Sequence, residues 1–274
     1  VCAGKMEPEV AAKAIKEAKR IGTVNVVSSS KADVYNHIPK DFKQTEGAAY
    51  LHVTSNNTIY GTQWKNFPKA ATYLVADMSS DILSRKIDVS KFGLIYAGAQ
   101  KNMSCAGVTL AIIRKDILGK VERSIPTMLD YATHIPEHSM FNTPPVFPIY
   151  VMNRTLSWLK ENGGVEAMEA LNNKKSGILY DAIDNSKLFV GTAAKEDRST
   201  MNVPFIFNKD VVAQEKADEL QKEFLAFTKE RGLEQLKGHR SVGGFRASIY
   251  NAMPLAGVEA LVSAMDAFEK KVLG

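Results

Sequence analysis

The 274-residue chain predicts an α/β fold: a mixed, mostly parallel sheet flanked by helices, with a smaller C-terminal α/β lobe. Three observations lead there. Short apolar runs of strand length recur at 50–54, 73–76, 94–97 and 108–114. Segments with helical periodicity lie before and after them, at 8–20, 149–162, 165–184, 214–231 and 257–271. Thr58, Asp77 and Lys101 fall just beyond strand ends, where open α/β sheets gather their ligands.

Each element has its own signal. In 8–20, Ala11, Ala12, Ile15, Ala18 and Ile21 mark one face, and Gly22 is a stop. Residues 24–27 read as a short strand, and 50–54 as another, followed by a polar loop at 55–58. The strand at 73–76 runs into the carboxylate of Asp77. The strand at 94–97 runs into Ala97, Gly98 and Ala99, small residues that let the backbone turn closely past something bulky. The apolar strand at 108–114 is expected beside it. Phe141-Asn-Thr-Pro-Pro-Val-Phe-Pro reads as a rigid prolyl loop, and the helix 149–162 closes at Gly163-Gly164. The lobe boundary is placed there, giving a large domain at 1–164 and a small one at 165–274. The small lobe opens with the helix 165–184. It continues through a strand at 202–207, a helix at 214–231, a strand at 243–250 and the final amphipathic helix 257–271.

Composition narrows the function classes. Hydrophobic content of 45% and charged content of 24% describe an ordinary globular chain with enough residues for a substantial core. No apolar run is long enough to span a bilayer, and no signal peptide is legible at the start, so no membrane role is expected. Cys2 and Cys105 make no zinc pattern or disulfide framework, and a reducing, cytoplasmic setting is the default. The net charge of +5 is spread along the chain without a basic block or interleaved aromatics. That distribution suits small anionic substrates better than nucleic acid.

Lys101 carries the chemistry. It follows an apolar strand and a small-residue turn, without neighbouring charges. An acid at one strand end and a lysine after the next strand suit pyridoxal phosphate (PLP). The lysine forms a Schiff base with the aldehyde, and Asp77 holds the pyridine nitrogen protonated so that the ring acts as an electron sink. Lys237-Gly-His-Arg-Ser-Val-Gly-Gly-Phe-Arg246 groups four cationic or potentially cationic residues around three glycines, a shape suited to anion capture or simply a solvated basic turn. There Arg246 can grip a carboxylate with two parallel hydrogen bonds, and His239 and Arg240 can hold a phosphate. Asn142, Thr143 and Thr58 are weak alone, since each also fits ordinary turn chemistry. His52 reads as a satisfied core histidine. His134 and His138 lack a third ligand, so no metal is expected. The Asn102-Met-Ser sequon is discounted because it lies in the expected site.

Asp77-Met-Ser-Ser, Ala97-Gly-Ala-Gln-Lys-Asn, Met140-Phe-Asn-Thr-Pro-Pro and Lys237-Gly-His-Arg-Ser-Val-Gly-Gly-Phe-Arg-Ala-Ser-Ile-Tyr-Asn-Ala together resemble the phosphoserine aminotransferases. These are class V, fold-type I PLP enzymes of serine biosynthesis, and the likeness runs over essentially the whole chain. The resemblance implies Lys101 as the Schiff-base lysine and proton carrier, and Asp77 as the partner of the pyridine nitrogen. It implies Thr58 beside the phenolic oxygen of the cofactor and Gln100 on its phosphate. Asn142 and Thr143 are similar to the pair that reaches the cofactor phosphate of a neighbouring subunit, which implies a homodimer with shared active sites. Arg246 would hold the substrate α-carboxylate, and His239 and Arg240 the phosphate end. The implied reaction passes the amino group of glutamate to 3-phosphohydroxypyruvate, giving O-phosphoserine and 2-oxoglutarate. Some bacterial relatives share a second, phosphohydroxythreonine-forming reaction of vitamin B6 synthesis.

Two departures accompany the likeness. Members of the family usually have a further N-terminal stretch, with a glycine-containing phosphate loop, a substrate arginine and a substrate-side histidine. This chain is expected to be N-terminally incomplete. Where the family stacks an aromatic residue on the PLP ring, this chain has Gly4-Lys5-Met6, and Met6 would pack more softly there. The alternative is a shortened, non-catalytic relative acting as a binding or interaction module.

Overall fold

The computed structural model describes residues 2–3 and 14–274. Its main sheet has the order β1-β2-β5-β6-β7, built from Cys2–Ala3 (β1), Tyr50–Thr54 (β2), Tyr73–Asp77 (β5), Leu94–Gly98 (β6) and Thr109–Ile113 (β7). All neighbours are parallel except β7, which runs antiparallel to β6, so the sheet is mixed and mostly parallel as expected. A helix includes residues 14–18 (α1), and a short helix, Tyr131–His134 (α2), follows the sheet.

Alternation along the strands sets the two faces. Leu51, Val53, Leu74, Ala76, Ile95 and Ala97 are buried together with Trp64, Phe92 and Met103 in a first core. The opposite face carries Tyr50, His52, Tyr73, Val75, Leu94 and Tyr96, which line a cavity of about 770 Å³.

The remaining elements are Asn56–Asn57 (β3), Thr62–Gln63 (β4), Val146–Glu161 (α3), Gly164–Asn185 (α4), Phe189–Gly191 (β8), Asn202–Phe207 (β9), Gln214–Lys229 (α5), Phe245–Ser248 (β10) and Leu255–Leu273 (α6). The strands β10-β9-β8 form an antiparallel sheet. Its core is aromatic. Phe189, Phe205, Phe224, Phe245 and Phe268 are fully buried, and the rings of Phe224 and Phe245 lie 4.8 Å apart, edge to face. Among the described residues, no helix is long and apolar enough to cross a membrane.

Several sequence expectations are corrected. Among the described residues, 24–27 hold no strand beyond an isolated bridge at Asn25, and Val26 is 54% exposed. The polar loop at 55–58 contains β3, paired antiparallel with β4. The prolyl loop ends earlier than expected because Pro148 occupies the first turn of α3, where its missing N–H costs nothing. The strand expected at 243–250 is only Phe245–Ser248, because Gly243 and Gly244 adopt positive φ. The three-residue strand β8 gave no periodic signal in the sequence.

Candidate active site

The ends of β5 and β6 are locked together by one serine. Ser79 donates its backbone N–H and its hydroxyl to Asp77 Oδ1 at 2.9 and 2.6 Å. The same hydroxyl oxygen accepts the N–H of Gly98 at 3.0 Å. A carboxylate oxygen taking two such donors is held in one rotamer. Sequence reasoning passed over Ser79, although its place two residues after an aspartate is the spacing of a local side-chain turn.

Lys101 lies on the turn after β6, which closes as Met103 and Ser104 donate their N–H groups to the Ala99 carbonyl at 3.0 and 2.8 Å. Its Nζ donates to Thr58 Oγ1 at 2.7 Å. Thr58 is buried in the hairpin turn between β3 and β4. That turn is shaped by Asn57, whose Oδ1 accepts the N–H groups of Ile59 and Tyr60 at 3.1 and 3.0 Å. Arg246, on β10, donates from Nη1 to the Thr58 carbonyl at 3.4 Å. Its Nε is buried with no partner among the described residues. Lys101 from the first core and Arg246 from the second therefore converge on opposite ends of one threonine.

The flanking scaffold is polar and buried. Asn102 donates to the Ile82 carbonyl at 3.0 Å, and its Oδ1 accepts the N–H of Asn251 at 3.1 Å. Asn56 donates to Ser80 Oγ and to Asn202 Oδ1, both at 2.9 Å, tying the hairpin to β9.

The other expected site residues are placed as follows. Gln100 is exposed, and its amide folds back so that a Cβ on Gly98 would lie 2.7 Å from Gln100 Oε1. Asn142 and Thr143 are exposed on the segment before α3, which packs on the lysine turn through Ser104 Oγ donating to the Pro148 carbonyl at 2.7 Å. His239 is half-buried and accepts the Ser241 N–H on Nδ1 at 3.2 Å, while Arg240 is exposed on the same turn. Met6 lies outside the described residues.

One expectation about this turn changes. Gly238 donates its N–H to the Gly244 carbonyl, and Gly243 to the His239 carbonyl, both at 2.8 Å. Those two amides are committed within the turn itself. Among the described residues, no group of three or more His, Cys, Asp or Glu is placed to hold a metal.

Comparison with known proteins shows the family. The family model described as aminotransferase class V matches residues 4–261. The phosphoserine aminotransferase of Parabacteroides distasonis is 57% identical over 261 residues, which is 95% of this chain and 72% of that protein. The solved phosphoserine aminotransferase of Bacillus circulans subsp. alkalophilus superposes with a TM-score of 0.91 at 46% identity, covering 98% of this chain and 74% of the other. The PLP-bound phosphoserine aminotransferase of Trichomonas vaginalis gives a TM-score of 0.89 at 40% identity, covering 97% and 75%. With a matching family model over most of its length and relatives above half identity, the chain belongs to the class V aminotransferases and, within them, to the phosphoserine aminotransferase family.

Proposed function

We propose that this chain is a PLP-dependent aminotransferase that moves the amino group of glutamate to 3-phosphohydroxypyruvate, yielding O-phospho-L-serine and 2-oxoglutarate. The observation that carries this reading is the meeting of Lys101 and Arg246 on Thr58. It puts a primary amine beside a guanidinium whose Nε has no partner among the described residues, the pairing an amino acid needs when its α-carbon must react while its carboxylate is gripped. The relatives' identities support catalysis rather than a non-catalytic interaction module.

The residues fit the cofactor. Lys101 would hold it covalently through Nζ, Asp77 would pair with its ring nitrogen, and Thr58 Oγ1 would meet its phenolic oxygen. Gln100 would hold its phosphate, with Asn142 and Thr143 donated across a dimer, and Met6 would pack on the ring. Bound PLP supplies an electron sink for the pair left at the substrate α-carbon. Lys101 Nζ would also serve as the general base that takes the substrate α-proton. Arg246 fixes the α-carboxylate, and His239 with Arg240 binds the distal anion, carboxylate in one substrate and phosphate in the other.

We read the partner as a second copy of the chain. Leu129, Tyr131, Met140, Phe141, Phe147 and Tyr150 are all 40% exposed or more, and they flank Asn142 and Thr143. So much apolar surface in one stretch supports an interface. The division into lobes at 164 and a cytoplasmic location belong to the same reading.

The test is a visible absorbance spectrum of the chain with PLP, before and after glutamate, with Lys101→Ala alongside. A band of lysine-bound cofactor that bleaches with glutamate and is missing from the variant supports the assignment. A folded chain with no such band overturns it.

A further inference from the structure

Three asparagines from distant parts of the chain close on one short run of backbone. The chain leaving Asp77 makes a single turn, in which Ile82 donates its N–H to the Met78 carbonyl at 2.9 Å, and Leu83 ends that turn at a φ of +61°. A helical turn that stops leaves its last carbonyls without ladder partners. Here each is taken by one side-chain amide. Asn102 donates to the carbonyl of Ile82, Asn251 to that of Leu83 and Asn172 to that of Ser84, at 3.0, 2.9 and 3.0 Å. The asparagines also bond one another. Asn172 donates to Asn251 Oδ1 at 2.9 Å, and the Asn251 backbone N–H donates to Asn102 Oδ1 at 3.1 Å. All three are buried. A left-handed leucine is uncommon, and such backbone persists only where its surroundings hold it.

Each partner leads to the site. Asn102 directly follows Lys101, and Asn251 lies on the chain leaving β10, the strand of Arg246. The row of carbonyls itself continues from Asp77. Asn172, on α4, commits both amide N–H groups to this cluster. One turn further along α4, the Lys175 ammonium donates to the carbonyls of Ile249, Tyr250 and Met253, on either side of Asn251. Lys101 and Arg246 meet at Thr58 through the tips of their side chains. The asparagine cluster holds the backbones behind those tips.

We propose that Asn102, Asn172 and Asn251 are positioning residues: through the carbonyls of Ile82, Leu83 and Ser84 they fix the spacing between the Lys101 amine and the Arg246 guanidinium. They thereby set how fast a bound amino acid reacts, rather than how tightly the cofactor is held. The inference rests on the reading of Lys101 as the cofactor lysine and Arg246 as the carboxylate arginine. Geometry gives the scale, since a displacement of about 1 Å between reacting groups costs up to about a hundredfold in rate.

The test compares the parent with Asn172→Leu, Leu179→Ala, Leu83→Gly and Leu83→Val. Leu179 is fully buried on the same helix but packs in the second core, so its truncation destabilises α4 and leaves the asparagines paired. The measurements are the PLP dissociation constant, the single-turnover rate at saturating glutamate, and hydrogen exchange of the Asn251 N–H in the protein without cofactor. Asn172→Leu should bind PLP as the parent does, react about ten- to a hundredfold more slowly and exchange the Asn251 N–H faster. Leu179→Ala should lose stability and keep the rate. Leu83→Gly adopts the left-handed φ freely and should outpace Leu83→Val, whose branched Cβ resists it. A role in packing alone predicts the reverse order. An unchanged rate in Asn172→Leu, an equal loss in Leu179→Ala, or Leu83→Val faster than Leu83→Gly overturns the proposal. If Asn172→Leu does not fold, the Leu83 pair decides. A parent that binds PLP and does not react with glutamate overturns the reading of the site itself.

Discussion

The backbone N–H of Asn251 donates to Asn102 Oδ1 at 3.1 Å, tying the residue that follows Lys101 to the chain leaving the strand of Arg246. Asn251 is 4% exposed. Its own amide donates to the Leu83 carbonyl and its Oδ1 accepts from Asn172, both at 2.9 Å. Asn251→Ala keeps the backbone link but strands the Leu83 carbonyl and one N–H of the Asn172 amide, whose other N–H still reaches the Ser84 carbonyl. Urea unfolding should show a loss of about 1–3 kcal/mol, the cost of buried polar groups without partners.

Arg240 separates the two half-reactions. Arg240→Leu should raise KM for the phosphorylated acceptor far more than for glutamate, because a phosphate leans harder on a guanidinium than a carboxylate does. Single-turnover measurements of each half-reaction check this. An equal loss in both would show that Arg240 does not discriminate between the distal groups.

Lys175 gives a pH signature. It is fully buried on α4, and its ammonium donates to the carbonyls of Ile249, Tyr250 and Met253 at 3.1, 2.8 and 3.1 Å. Burial lowers its pKa from 10.5 to about 8. Between those values the unfolded chain holds a proton that the folded chain has released, so stability contributed by this group rises with pH across the window and is lost as pH falls through about 8. Urea midpoints taken from about pH 8 to about pH 10 should show that slope in the parent and lose it in Lys175→Met.

Gly61 closes the turn that presents Thr58. Its φ is +69°, and a Cβ there would overlap the Pro204 ring. Gly61→Ala should destabilise the protein by more than about 1 kcal/mol in urea and weaken PLP binding, since the Thr58 turn must shift.

The central strands were legible because their signals are local. In 73–77 and 94–98, apolar runs meet small or acidic residues at their ends, and both strands sit where periodicity places them. The strand Phe189–Gly191 was not, since three residues carry no usable period. The site was legible as residue types and not as a shape. Thr58 and Arg246 are 188 positions apart, and nothing in either segment states that they touch. The pairing of His52 with Tyr96 depends on the register of three strands, which alternation alone leaves open.

Because Lys101 lies on the turn leaving the sheet of the first core and Arg246 in the sheet of the second, a ligand held by both acts as a temporary cross-link between two hydrophobic units. The aromatic core cannot melt away from the sheet without first releasing that ligand. Occupancy of the site and cooperativity of unfolding are thus linked quantities: a filled site makes two cores behave as one, and an empty one lets each respond to heat and denaturant more nearly on its own terms.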